Sequence, residues 1–176
     1  KPYGPPWQYD EVDGYDCVEV WNGAWVIVNQ TALDHWTRQL ARGRRLPAVA
    51  GSDWHRLREV SAAIKRAPGA PCVWLHVPEP PSAPAILRAL RRGHIALSND
   101  VDGPLLDLRA GDGDTTMGGD ALPRPAGGEL AVHVRVLRGA GGCLQLLDQS
   151  GVLFEKTLPG NDEHIAARVP VSASLY

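Results

Sequence analysis

The 176-residue chain is short of several things at once. It has three lysines against fifteen arginines, one phenylalanine, one methionine and three cysteines. Charge of either sign is not in excess: the net charge is −2, which excludes a generic basic patch for nucleic acid and an acidic solvating tail. No apolar run approaches the roughly 20 residues of a membrane span, and the turn-rich opening Lys1-Pro2-Tyr3-Gly4-Pro5-Pro6 does not read as a signal peptide. Neither a nucleic acid nor a membrane is therefore expected as a partner. Cys17, Cys72 and Cys143 are odd in number and far apart, so they fit neither a disulfide framework nor a zinc ribbon. Each lies among apolar residues and is expected to be a buried free thiol, which favours a reducing, cytoplasmic compartment. There is no phosphate-binding glycine fingerprint and no nucleophile elbow.

What is present is globular: 44% hydrophobic, 22% charged, with 19 glycines and 15 prolines marking turns, enough for one domain or two small ones. Residues 15–21 read as a first strand ending at Asn22-Gly23. The apolar run 24–28 fits a loop or a strand. Thr31 with Asp34 three residues on suggests a capping box. The helix it would start presents Leu33, Trp36, Thr37 and Leu40 on one face and stops at Gly43. Residues 46–50 read as a short buried strand, 56–66 as a helix, and 72–77 as a strand. Ser82 caps a further helix closed by Arg91, Arg92 and Gly93, and 95–98 form a strand. Alternating strands and helices of this kind predict a parallel sheet. Beyond residue 99 the pattern changes. Segments 105–108, 129–137, 143–148, 152–158 and 164–171 are separated by Gly-rich turns, and Val132, Val134 and Val136 alternate with polar residues at period 2. The expectation is an α/β part over residues 1–99 and a small antiparallel β-sandwich-like module over 100–176.

The sharpest chemical signal is Gly51-Ser52-Asp53-Trp54-His55, directly after a buried strand. If the backbone is extended, Asp53 and His55 point to one side and converge at the C-terminal end of a parallel strand, where α/β barrels place their sites. Carboxylate and imidazole together suit a first-row metal; a hydrogen-bonded Asp–His pair or two solvated side chains are equally compatible with the spacing. Glu19, flanked by Val18 and Val20, would be costly in a buried strand unless paired, and its alternatives are a site-facing and a solvent-facing carboxylate. The remaining histidines lack ligand spacing: His35 reads as solvated on a helix, His76 as a strand residue, and His133 and His164 as exposed on the β module. Most of the tryptophans, all in the first half, are expected in the core. The Asp112-Gly113-Asp114 run lacks the spacing of a calcium loop.

Four features occur in order: Tyr15-Asp16-Cys17-Val18-Glu19-Val20-Trp21-Asn22-Gly23, the helix around Trp36 to Gly43, the strand 46–50 with Gly51-Ser52-Asp53-Trp54-His55, and Ile86 to Ser98 followed by Gly103-Pro104. Over about residues 1–108 they resemble the later half of a PHP-domain (polymerase and histidinol phosphatase superfamily) metallohydrolase, nearest the CehA/McbA-like branch. The resemblance implies the C-terminal half of a distorted β/α barrel followed by the β module. It implies two or three divalent metals (zinc, manganese or iron) in the full-length protein, with Asp53 and His55 as the last ligand pair. Glu19, Trp21, Asn22, Ser52 and Trp54 would line the site, and no further catalytic residue is assigned within the chain.

The implied activity is phosphoesterase-like hydrolysis, or ester or carbamate hydrolysis, of a small-molecule substrate by a metal-bridged hydroxide. The family's opening His-x-His and its other ligands would precede Lys1. The chain thus reads as a piece of a longer protein, inactive alone, whose partners are the missing N-terminal half of its barrel or further copies of itself. The competing reading is a non-catalytic binding module that keeps a degenerate form of the same fold. A metal-dependent amidohydrolase of another barrel family fits less well, because its final ligand is usually a lone Asp.

Overall fold

The computed structural model describes residues 14–54, 68–111, 120–123, 125–148 and 150–171. Within them the chain is mixed α/β, dominated by strands, with two helices and four small sheets. The described residues form no closed barrel, and none of their helices is long and apolar enough to cross a membrane. The expected helix over 56–66 and the calcium-like run 112–114 lie outside the described residues.

Strand β1 (Val18–Asn22) pairs in parallel with β2 (Ala48–Gly51), Asn22 lying opposite Gly51. A bulge between Glu19 and Trp21 shifts the register by one residue, which locally re-aims the side chains. Helix α1 (Ile27–Ala41) joins the two strands. It begins four residues before the expected Thr31 cap. Thr31 instead sits inside the helix, its Oγ1 donating to the Ile27 carbonyl at 3.4 Å, and Asp34 accepts from Gln30 rather than closing a capping box. The cause is Asn29. Buried to 2% exposure, it accepts from the Asn22 backbone N–H at 3.1 Å and donates to the Asn22 and Ala24 carbonyls. Satisfying the turn after β1 with this side chain places residues 27–29 in the first helical turn and leaves Ile27 and Val28 on the surface. The expected inward face is largely kept, but Gln39 is buried where Thr37 was expected.

Strands β3 (Cys72–Leu75) and β4 (Ile95–Ser98) flank helix α2 (Ala83–Arg92). Ser82 caps that helix as expected, its Oγ accepting from the Ala85 N–H at 3.3 Å. Gly93 ends it in the left-handed conformation at φ 73°, where a glycine has no Cβ penalty. β3 and β4 pair antiparallel, Cys72 opposite Ser98. The expectation of one parallel sheet therefore holds for β1–β2 and fails for β3–β4. Short apolar strands carry no signal for direction, and α2 brings the chain back alongside β3 instead of crossing over it.

The second half is antiparallel throughout. β5 (Leu105–Ala110), β6 (Glu129–Leu137) and β9 (Asp162–Pro170) make a three-stranded sheet in the order β5-β6-β9. β7 (Cys143–Asp148) and β8 (Gly151–Thr157) form a hairpin. Val132, Val134, Val136, Ile165 and Val169 from the sheet share one buried cluster with Leu144 and Leu158, joined by Leu146, Leu153 and Phe154. The antiparallel sheet and hairpin thus share one apolar cluster, into which β6 turns the alternating valines of its period-2 pattern. A small apolar cavity of about 90 Å³ remains between them.

None of the three cysteines is buried as expected, and not all tryptophans are interior. Cys17 and Cys143 are exposed and Cys72 is half-buried: Cys17 precedes β1, and Cys143 occupies an outward position of β7. Trp25 and Trp74 are 49% and 36% exposed. Trp36 donates its indole N–H to the Leu46 carbonyl at 2.6 Å, tying α1 to the segment entering β2.

Candidate functional site

The parallel pair β1–β2 sets up the C-terminal edge where the sequence places its chemistry. β2 ends at Gly51, and the Gly23 N–H donates to the Gly51 carbonyl at 2.8 Å. The loop 52–54 therefore leaves from beside the β1–α1 turn that Asn29 holds. Glu19 reaches along β1 to this edge. Its Oε2 accepts from Asn22 Nδ2 at 3.1 Å, and its Oε1 lies where a Cβ on Gly51 would come within 2.6 Å. Glycine at 51 is what leaves room for that carboxylate. Glu19 is exposed, so of its two readings the solvated carboxylate applies to its accessibility. Asn22 and the Gly51 gap nonetheless give it a defined position.

Asp53 departs from the geometry assumed for the Asp-x-His pair. It is exposed and left-handed, with φ 50°, a conformation aspartate tolerates better than most non-glycine residues. The backbone is thus turned, not extended, at Asp53, and the i, i+2 argument for convergence does not apply there. His55 lies outside the described residues. Ser52 and Trp54 are partly buried in the same loop. Trp21 meets Trp25 edge-on, with centroids 5.4 Å apart and planes at 85°. The Trp21 indole nitrogen is buried without a hydrogen-bond partner among the described residues.

The opposite, N-terminal end of the same strand pair is polar and internally satisfied. Arg44 donates to Tyr15 Oη at 3.3 Å and to Gln39 Oε1 at 3.0 Å and lies over the Tyr15 ring; Tyr15 also reaches His35 at 3.5 Å. His35 is thus partly buried and partnered, not simply solvated.

A metal-holding role can be tested against these side chains. Carboxylate donors from Glu19 and Asp53 are of the right chemical kind for a divalent ion. Their number is too small: no group of three or more His, Cys, Asp or Glu side chains converges among the described residues. The described part of the site does not by itself build a metal centre.

Two polar features carry no motif in the sequence. Asn29 fixes the turn at the site's edge. Elsewhere, His94 pairs with Asp120 at 3.1 Å, with His76 edge-on to it at 6.3 Å between centroids. A lone Asn in a helix gives no readable signal, and an ion pair 26 residues apart in sequence gives none either.

No protein-family model, curated protein or solved structure matches the chain.

Proposed function

We propose that this chain is the C-terminal part of a PHP-type, metal-dependent phosphoesterase-like hydrolase, with the C-terminal edge of β1–β2 as its share of the active site. The observation that carries the reading is the position of Glu19. It is held by Asn22 in the gap left by Gly51, beside the loop that bears Asp53. Strand C-termini are where β/α barrels assemble catalytic groups, and the Gly-Ser-Asp-x-His sequence that resembles the family's last ligand motif begins at the same glycine.

In this reading Asp53 and His55 contribute ligands, and the remaining donors come from the preceding half of the barrel. Bound divalent metals would supply Lewis-acid activation of water and of the substrate oxygen. The chain's own residues do the rest. Asn22 orients the Glu19 carboxylate, and Asn29 holds the turn that follows Asn22. The substrate class is a small phosphoester, or an ester or carbamate.

The test is metal content per chain by inductively coupled plasma mass spectrometry on the longest polypeptide the locus encodes, beside Asp53→Ala and His55→Ala variants. Two or three equivalents of zinc, manganese or iron, reduced in both variants, is the expected result. Absence of metal after reconstitution, or stoichiometry unchanged in the variants, would overturn the reading in favour of a non-catalytic binding module.

A further inference from the structure

We draw no further inference here: the strongest candidate, the exposed apolar face that Ile86 and Leu87 give helix α2, carries nothing because nothing in the structure shows what covers it.

Discussion

Asn29 shows how one polar side chain can set the start of a helix. It satisfies a backbone N–H and two carbonyls in the turn after β1, groups that would otherwise be partly buried without partners. Asn29→Ala should therefore destabilise the protein by about 2 kcal/mol, the usual cost of orphaning such groups, measured as a shift in the urea midpoint. Gly51 illustrates the opposite case, in which the absence of a side chain matters. Gly51→Ala would put a methyl 2.6 Å from Glu19 Oε1. Since that carboxylate is on a flexible, exposed side chain, the expected result is displacement of Glu19 with a stability change below about 1 kcal/mol. Under the proposed hydrolase reading, loss of activity in the full-length protein together with an unchanged melting temperature would be the signature. The cysteines divide by environment. Burial raises the Cys72 thiol above its ordinary value, and the negative charge of Asp100 adds to the effect, whereas Cys17 and Cys143 are exposed. Iodoacetamide near neutral pH should label Cys17 and Cys143 well before Cys72, because only the thiolate reacts; peptide mass mapping over time checks the order.

At the scale of elements, the two helices differ in how they are begun. α2 has a side-chain cap, a proline in its first turn and a left-handed glycine at its end, all local signals, and its limits match the expectation from sequence. α1 starts at Ile27, preceded by Val26, which offers no side-chain cap, and its start is decided by Asn29 reaching back to the strand. Ser82→Ala should cost about 1 kcal/mol, read as a lowered midpoint with an unchanged slope in denaturant titration. The strands repeat the contrast. β6 spans the residues expected, because three valines alternating over residues 132–136 can place only one face in a core. The direction of β4 against β3 was not readable, because the four apolar residues of β3 and the three that open β4 have no distinguishable face.

At the scale of the whole molecule, the β module carries an exposed ion pair that makes its stability depend on acid. Hydrogen bonding from Arg135, with the nearby positive charge, holds the Asp162 carboxyl below its ordinary value, and the same pair raises Arg135. A depressed folded-state value means that the pair's contribution is complete above the ordinary aspartate range, near pH 4. It is lost as pH falls through the lowered value of Asp162. The melting temperature should accordingly drop below about pH 4, and Asp162→Asn should make that drop shallower; a pH series of thermal melts from neutral to pH 2 tests both. The exposed position of the pair keeps the effect small.

Local chemistry by itself determined the order of most elements, the caps of α2, the inward face of β6 and the position of the Gly51-Ser52-Asp53 loop at a strand's end. Each of these depends on residues a few positions apart, and period and capping are local properties. Tertiary structure alone decided the start of α1, the antiparallel pairing of β3 with β4, the left-handed turn at Asp53 and the seating of Glu19 over Gly51. It also decided which carboxylates on the outer sheet the arginines engage. All of these depend on which distant backbone or carboxylate comes within hydrogen-bonding reach, and that is set only when the chain has packed.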